Sequence, residues 1–542
     1  MFEVSGVNEE SDIYDEIKAS NNKTKTSKLN AETGTLLDQN KILVENGQVE
    51  VVASIYEFNS TLTDTIETKN QGIRASNKKS KKPLVQGVKY RVLLFDENDK
   101  FLTAIDGSSG GTPPVYNGAF RNTKYKWKAY SFNNSNNILP AIPANPTTAN
   151  FNINSTNTGG LLFASGEVIT SDKVNDNNKV NILFKRQTAI VDIVYSGRGM
   201  FDKITSLLGN INLPIYNSGV FNLLTGKYVS YTTPINSHVT NLNQTVSSKG
   251  DTIRTHTLYT VNDVQSISNY GVNLTSLTFP TDLNSQLGSR TFSSNLNFNF
   301  TKSFKPQLGK RYKIIIDFLT TSRNVTNTGG NVDWAYHNLF YNDLSKVYGF
   351  RHYNSNFYEK GISAGGQNSG EYFNWKALKP GFAQPFNVVD PCALVYPAGR
   401  WKMPAASEFN TLINIPSNIS GTPRKSNAGS PDPVRYVNIV LGTGNFAPYD
   451  MFTNGLPLLM LGFRENGSNT ISGYNTSSTG TSNLYFWSST EVDSGNSTYF
   501  AISNTSSSGT TMNVRTANAA KTYGMNIRCV RNKNYIYKPN IQ

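Results

Sequence analysis

Two cysteines are the residues of this 542-residue chain best suited to covalent chemistry. Cys392 and Cys529 are its only thiols and lie 137 positions apart. A disulfide between them would close a loop long enough to stabilise the fold by about 4 to 5 kcal/mol in the chain-entropy model, and it would imply an oxidising compartment. A zinc site would need more Cys or His, and a reactive thiol usually has a His or a CxxC motif nearby. We expect the bridge; two unpaired core cysteines are the alternative.

Other reactive groups are sparse. The chain has four His, and it lacks CxxC, HExxH, GxxxxGK[ST] and GxSxG patterns. No activated nucleophile, general base or set of metal ligands stands out. We therefore expect no enzymatic activity, no metal and no organic cofactor.

The net charge of +14 raises the question of nucleic-acid binding. Lys and Arg are scattered, except in the run Lys78–Lys82, which has no aromatic residue for base stacking. A solvated loop or a protease site explains this run better, and we expect no nucleic-acid partner.

Length and composition favour an exported, β-rich protein of about three or four domains. Charged residues make up 16% of the chain, and Asn, Ser, Thr and Gly are abundant. The longest apolar run, 455–463, is too short and too interrupted by Pro and Gly to span a bilayer. Met1-Phe2-Glu3 does not open a signal peptide. We expect that an export signal, with or without a lipoprotein cysteine, preceded residue 1 or that the sequence starts late, so that membrane contact would be limited to a lipid anchor on the precursor.

Short alternating segments fill the first three fifths of the chain. Residues 1–48 lack a sustained period and are predicted to be a mobile leader. Val49 to Ile55 alternate as a half-buried strand does, and the polar segment 59–82 follows. Later strands are predicted at 88–94, after which 96–99 form a turn, and at 125–132, 160–164, 180–184 and 189–195. Many short strands with polar turns predict two β-sandwiches, at 49–197 and 198–325.

The last two fifths carry four motifs in order. They are Asp390-Pro391-Cys392, Gly399-Arg400-Trp401-Lys402-Met403-Pro404, Tyr485-Phe486-Trp487-Ser488-Ser489-Thr490 and Gly524-Met525-Asn526-Ile527-Arg528-Cys529-Val530-Arg531. Together with Tyr372-Phe373-Asn374-Trp375 they resemble the FISUMP family of secreted bacterial modules. The resemblance implies a C-type-lectin-like α+β domain over 326–542.

A short helix is expected within this domain. Pro404 can open it, and Phe409, Leu412 and Ile413 then share one buried face. Trp401 and Glu408 would fix the helix to the sheet. Ala405 stands where the family has Thr, so a side-chain cap worth about 1 kcal/mol is missing.

The first part of the chain resembles the fimbrillins that build type V pili. The matching segments are Tyr90–Asp96, Trp127–Asn133, Leu183–Val191 and Leu308–Asp317. The resemblance implies two transthyretin-like β-sandwiches, export as a lipoprotein, proteolytic trimming, and donor-strand exchange with other pilus subunits. Arg74, Lys79 and Lys82 are the candidate processing residues, since a basic, loosely structured segment suits a trypsin-like protease. A loop without any role is the alternative.

Ligand binding is a separate question. Gln384-Pro385-Phe386 lacks the acidic third residue of a calcium-dependent sugar site, and Trp487 is expected in the core. The polar loop 466–483 offers adaptable hydrogen-bonding groups, and Tyr474, Asn475 and Asn483 are its candidate ligand-binding residues. The ligand would be a host or bacterial glycan or protein.

The preferred functional hypothesis is a cell-surface adhesive subunit at or near a pilus tip, exported through the periplasm to the fimbrium or outer membrane. The tail 532–542 is short and interrupted by Pro, so it is poorly suited to act as a donated strand. The alternative is an outer-membrane-anchored or secreted glycan-binding protein outside a pilus. An enzyme is the least favoured class.

Overall fold

A computed structural model gives the fold of most of the chain. The described residues are 1–8, 34–44, 49–58, 81–135, 138–143, 146–147, 150–155, 160–173, 176, 178–201, 203–241, 252–280, 289–292, 295–343, 346–350, 371–413, 424–425, 435–440, 455–473, 483–504 and 512–538.

Strands dominate these residues, and the prediction of a mainly β chain is confirmed. The first twenty strands are β1 (Phe2–Asn8), β2 (Gly34–Val44), β3 (Val49–Phe58), β4 (Lys81–Lys82), β5 (Lys89–Phe95), β6 (Phe101–Ser108), β7 (Lys124–Ser131), β8 (Asn152–Ser155), β9 (Leu162–Ile169), β10 (Val180–Arg186), β11 (Ala189–Gly199), β12 (Ser206–Ile215), β13 (Gly219–Asn222), β14 (Lys227–Tyr231), β15 (Ile235–Asn241), β16 (Ile253–Thr260), β17 (Tyr270–Pro280), β18 (Ser289–Phe292), β19 (Leu296–Phe300) and β20 (Arg311–Thr320).

The remaining strands follow in the C-terminal part. They are β21 (Ser322–Asn327), β22 (Gly330–Ala335), β23 (Leu339–Asn342), β24 (Val347–Phe350), β25 (Trp401–Lys402), β26 (Arg424–Lys425), β27 (Arg435–Val440), β28 (Gly455–Leu459), β29 (Phe463–Arg464), β30 (Ile471–Ser472), β31 (Asn483–Glu491), β32 (Asn496–Asn504), β33 (Met512–Ala520) and β34 (Val530–Arg531).

Within the described residues, helical structure is short and confined to the C-terminal part. A 3-10 helix covers Pro391–Leu394, and a 3-10 turn at Ala406–Phe409 continues into α1 (Asn410–Ile413). No helix in the described part of the chain is long and apolar enough to cross a membrane.

The first unit is built on a seven-stranded sheet in the order β4-β1-β10-β9-β7-β5-β6. β1 runs parallel to β10, and the other neighbours are antiparallel. On one face, Tyr90, Trp127 and Phe184 belong to a common hydrophobic cluster. The other face packs against a second layer, the small sheet β14-β13-β8, through contacts that include Phe163 and Phe221.

The second unit is a β-sandwich with one core. Its layers are the sheet β16-β11-β20-β3-β2 and the sheet β15-β12-β17-β18, to which β19 is added by pairing with β17. Val51, Ile193 and Ile316 from the first layer share a buried cluster with Ile211 and Phe298 from the second. Because β3 pairs with β20 along its whole length and with β2 on its other side, β3 is an interior strand.

The N-terminal 48 residues are not simply a leader, which corrects the prediction. β1 and β2 both belong to sheets, and Phe2 and Val7 are buried. A register shift between Val4 and Gly6 puts Val7 on the same side as Phe2. Because this bulge breaks the alternation of buried and exposed residues, the sequence pattern did not predict the strand.

The predicted division at residues 49 and 198 also needs correction. The alternating segment Val49–Ile55 does form a strand, but β3 lies in the second unit, as does β11. The chain enters the first unit with β1, crosses to the second with β2 and β3, and returns with β4. Alternation of apolar and polar residues indicates that a strand has one buried face, but it does not indicate which sheet covers that face.

The C-terminal domain contains several small sheets around two hydrophobic clusters. The main ones are β21-β22-β34-β25 and β31-β32-β33. Trp334 lies in one cluster, and Trp375, Trp401 and Trp487 lie in the other. The expectation that Trp487 is a core residue is confirmed, since its side chain is buried and its indole N–H donates to the Phe373 carbonyl at 2.9 Å.

Candidate binding surface of the C-terminal domain

The two cysteines form a disulfide. Cys392 lies in the 3-10 helix and Cys529 directly precedes β34, with their Cα atoms 5.8 Å apart. Asp390 ties the same region to β25, because its carboxylate accepts the Cys392 N–H at 2.9 Å and the Met403 N–H at 2.8 Å. Burial raises the pKa of Asp390, although these hydrogen bonds oppose that effect. The bridge and this carboxylate hold the loops of the domain on a fixed base.

The helix starts two residues later than predicted, as a 3-10 turn at Ala406 with Ala405 as its N-cap, so Pro404 lies outside it. Phe409 and Leu412 are buried and Ile413 is partly buried. Ala405 supplies no side-chain cap; instead Thr490 Oγ1 accepts the Ala406 N–H at 2.9 Å. Glu408 accepts the Ala405 N–H at 2.8 Å and an ion pair from Lys402 of β25 at 2.9 Å. The expected role of Glu408 in fixing the helix to the sheet is therefore confirmed.

A buried arginine connects two surface loops. Arg464 donates to Asn374 Oδ1, to the Gly381 carbonyl at 3.3 Å and to the Ser468 carbonyl at 3.1 Å. Burial lowers its pKa to about 10. The guanidinium thus joins the loop that contains Gly381 to the hairpin β29–β30, which includes the first part of the predicted ligand loop 466–483.

The predicted ligand-binding residues can be placed only in part. Tyr474 and Asn475 lie outside the described residues. Asn483 opens β31, is half-buried, and donates its backbone N–H to the Gly473 carbonyl at 2.8 Å. This bond joins the two residues that flank the segment 474–482, so Asn483 lies at one end of the predicted site.

Sequence reasoning missed a different exposed loop, 376–389. Its apolar side chains Leu378, Phe382, Phe386 and Val388 are all exposed at the surface. The signal was present, because this stretch combines several apolar residues with Pro, Gly and no acidic residue before Asp390.

A buried polar joint connects the C-terminal domain to the second unit. We define the joint as Glu50, Asp317, Tyr396, Arg400 and Tyr537. Arg400, only 1% exposed, contacts Glu50 of β3 at 3.0 Å and the Thr320 carbonyl at 3.1 Å. Asp317 of β20, fully buried, accepts hydrogen bonds from the hydroxyls of Tyr396, at 2.8 Å, and Tyr537.

The two carboxylates of the joint have opposite pKa shifts. For Glu50, burial opposes ionisation, but the charge and hydrogen bond of Arg400, supported by Lys41 and Arg531, bring the pKa below its usual value. For Asp317, burial dominates and raises the pKa despite the tyrosine hydrogen bonds. The joint therefore contains two carboxyl groups of different character: Glu50 ionises more readily than usual, and Asp317 less readily.

The candidate processing residues are also placed only in part. Arg74 and Lys79 lie outside the described residues. Lys82 lies in β4, a two-residue strand at the edge of the first sheet that pairs with β1. The end of the basic run is thus part of the sheet, which corrects the expectation of an unstructured segment up to residue 82.

Metal ligands do not cluster in the described residues, where no group of three or more His, Cys, Asp or Glu side chains could hold an ion.

Comparisons with known proteins give distant structural similarities. No protein-family model matches the chain, and no curated protein matches it. A putative cell adhesion protein from Bacteroides ovatus is 13% identical over 44% of this chain and 86% of its own, with a TM-score of 0.27. One from Bacteroides fragilis is 13% identical over 53% and 93%, with a TM-score of 0.27. A fimbrial assembly protein from Parabacteroides distasonis is 11% identical over 49% and 91%, with a TM-score of 0.22.

Proposed function

We propose that this chain is a non-enzymatic, cell-surface adhesive subunit of a fimbrium, placed at or near its tip. In this proposal the two β-sandwich units dock the chain by strand exchange with other pilus subunits, and the C-terminal domain presents its loops to a ligand. The Bacteroides and Parabacteroides proteins carry names of the same kind, but at their TM-scores they add no weight.

The observation that carries the proposal is the joint. Arg400 is a buried cation whose counter-ion, Glu50, belongs to the other unit. A shift of the units that kept Arg400 buried but moved it away from Glu50 would leave that charge without its partner, an arrangement that costs about 3 to 5 kcal/mol. A domain held in this way transmits force and keeps its loops in a fixed direction, as an adhesive domain on a stalk must.

The segment that follows β34 is held at the joint. Asn532 donates its backbone N–H to the Arg400 carbonyl at 2.9 Å and its side-chain amide to the Gly399 carbonyl at 3.0 Å. Further along, the Tyr537 hydroxyl donates to Asp317. Residues 532–538 are thus part of the domain junction, and a segment engaged there is not free to pair with the sheet of a neighbouring subunit.

Strand exchange would involve the β2–β3 hairpin. The ten residues of β3 pair with β20 and bury Val49, Val51, Ala53 and Ile55. A released β3 would leave an open sheet edge and empty side-chain sites, which a neighbour's strand could fill with main-chain hydrogen bonds. The replacement strand would also need a carboxylate at the position of Glu50 to pair with Arg400.

Antibody fragments test the adhesive role. Fragments against residues 371–413 and 483–538 should block adherence of producing cells, and matched fragments against residues 81–135 should not. Equal block by both sets, or adherence that neither set affects, would contradict an adhesive C-terminal domain.

A further inference from the structure

The loop 376–389, which we call the apolar loop, has large apolar side chains that its own domain covers only in part. Leu378 is 42%, Phe382 43%, Phe386 38% and Val388 54% exposed. Four large apolar groups in eleven consecutive residues form a surface patch of the kind that marks an interaction site. The function proposed above does not use it, and the predicted ligand loop lies elsewhere in the sequence.

The backbone of the apolar loop is firmly held. The amide of Asn374 donates to the carbonyls of Phe382, at 3.3 Å, and Gln384, at 2.6 Å. Arg464 donates to the Gly381 carbonyl, and the Tyr348 hydroxyl donates to the Leu378 carbonyl. The two ends of the loop are joined by the bond from the Asn387 N–H to the Trp375 carbonyl and by two bonds to the Lys376 carbonyl.

This framework holds the backbone in an unfavourable conformation at Lys376. Lys376 has a φ of 50°, in the left-handed region, which costs energy for a Lys, whereas Asn387, with a φ of 59°, is of a residue type that tolerates this region. Such strain persists only when surrounding contacts fix it. Buried polar groups thus hold a strained loop whose apolar side chains are left exposed, an arrangement that lowers the ordering cost of binding.

The charge around the apolar loop is positive. Lys376 and Lys379 lie at its base, with their ammonium groups 4.3 Å and 5.6 Å from the ring centroids of Trp375 and Tyr341. Asp343, whose carboxylate feels the charge of Lys379, is paired with Lys346 at 2.7 Å. Lys376 also favours the ionised form of the buried Asp390 carboxylate, and within the loop itself these two lysines are the only charged residues beside the apolar patch.

We propose that the apolar loop is a docking surface for a partner protein whose contact region combines an apolar recess with carboxylates. Phe382 and Phe386 would fill the recess, and Lys376 and Lys379 would face the carboxylates. A rigid backbone with aromatic anchors is typical of protein interfaces. Insertion into a lipid surface suits the loop less, because both phenyl rings are already more than half covered and both ammonium groups lie over aromatic rings.

A second copy of the chain is also a poor occupant. A twofold contact through this loop would bring the same lysines of both copies into one interface, with no acidic residue of the loop to offset them.

A random 12-residue peptide library displayed on phage tests the proposal with a defined probe. The library is selected on the intact chain and counter-selected on the double variant Phe382→Ser, Phe386→Ser. Enriched peptides should combine aromatic or aliphatic residues with Asp or Glu. Their affinity should fall about tenfold or more in the double variant and also fall in Lys379→Glu, while Phe120→Ser, which removes a phenyl group that is 76% exposed in the first unit, should leave it unchanged.

Several results would overturn the proposal. Enriched peptides without acidic residues, or peptides that bind the double variant as well as the intact chain, would contradict the stated chemistry. Loop-dependent binding to phosphatidylglycerol vesicles in place of peptides would identify a lipid surface. Loop-dependent dimers in sedimentation would identify a second copy. Hydroxyl-radical footprinting needs no variant, and protection of Phe382 and Phe386 in the isolated chain, with Phe120 oxidised, would show that the loop is already covered.

Discussion

At the scale of single residues, the ion pair of Glu50 and Arg400 is the contact with the clearest expected effect on the free energy of unfolding. Arg400 is almost fully buried, and Glu50 reaches it from another unit of the chain. Replacing Glu50 by Gln keeps the shape of the side chain and removes its charge. We expect the free energy of unfolding to fall by about 3 kcal/mol or more, because the buried guanidinium loses its counter-ion.

Urea unfolding followed by tryptophan fluorescence measures this effect, since Trp334, Trp375, Trp401 and Trp487 all report on the C-terminal domain. Lys41→Gln is the control. Lys41 is a more exposed partner of the same carboxylate, at 3.0 Å, and its loss should cost less than about 1 kcal/mol. Equal effects of the two substitutions would contradict the importance of the buried pair.

Asp317 predicts a pH dependence of the opposite kind to that of Glu50. Its pKa is raised in the folded chain, so the folded state keeps a proton that an unfolded aspartic acid releases near pH 3.9, as an approximate reference. The stability that this group contributes is complete below that pH and is lost as pH rises through the folded pKa. The melting temperature of the natural chain minus that of Asp317→Asn should therefore fall between acidic and slightly basic pH.

Matched melting curves from about pH 4 to pH 8 test the sign. In this difference the titration of other carboxyl groups cancels, and the Asn side chain can still accept a hydrogen bond from the tyrosine hydroxyls. A difference that stays constant or rises with pH would show that Asp317 is not the group described.

At the scale of elements, the short helix shows how a missing cap is replaced. Thr490 at the end of β31 accepts the Ala406 N–H, one of the N–H groups that the start of a helix leaves unpaired; a Thr at position 405 would accept the N–H of Ser407 or Glu408 instead. We expect Thr490→Ala to cost about 1 kcal/mol and Ala405→Thr in the same chain to restore part of that loss. Urea midpoints measure both changes. Thr516→Ala, at an exposed site on β33, is the control, and an equal loss there would remove the special role of Thr490.

The β2–β3 hairpin allows a test of the proposed processing. Limited trypsin digestion should cut first between Lys69 and Lys82. Since β1, β2 and β3 all pair within sheets, the N-terminal fragment should stay bound after the cut and leave only when a strand peptide or a partner subunit competes. Gel filtration of the nicked chain measures retention. Resistance of 69–82 to trypsin while other loops are cut, or spontaneous loss of the fragment, would contradict this mechanism.

The sequence allowed the strands to be predicted better than their partners. Tyr125–Phe132 and Ala189–Tyr195 were predicted as strands and form β7 and β11, because a buried face imposes a local period. The crossing of β2 and β3 into the second unit depends on pairing with β20, more than 250 residues away, and no local pattern encodes it. β1 was not predicted because its bulge interrupts the alternation of buried and exposed residues.

The candidate site was predictable to a similar degree. The motifs around Cys392 and Trp487 indicated the core and the base of the domain, because apolar residues and cysteines report burial. The apolar loop was missed because the exposure of Phe382 and Phe386 depends on the backbone conformation of the loop. Asn374 and Arg464 fix that conformation through hydrogen bonds to the carbonyls of Gly381, Phe382 and Gln384. Arg400 lay within a quoted motif, yet its partner Glu50 is 350 residues away.

At the scale of the whole molecule, the chain consists of two β-sandwich units followed by a domain fixed to the second of them. The joint and the tail bring Glu50, Asp317 and Tyr537 together, so the strand segment 49–58, the strand 311–320 and the C-terminal tail meet at one junction. This arrangement is the basis for the proposal that the C-terminal domain is displayed and that the sandwich units connect it to a support.

Immunogold labelling of native filaments tests the central claim most directly. An antibody against residues 371–413 and 483–538 would be imaged by negative-stain electron microscopy, with an antibody against residues 81–135 as the control for access. An adhesive tip subunit predicts gold particles at filament ends. Label distributed along the shaft would make the chain a stalk subunit, and label confined to the cell body would favour a glycan-binding protein outside a pilus; either result would contradict the proposed position.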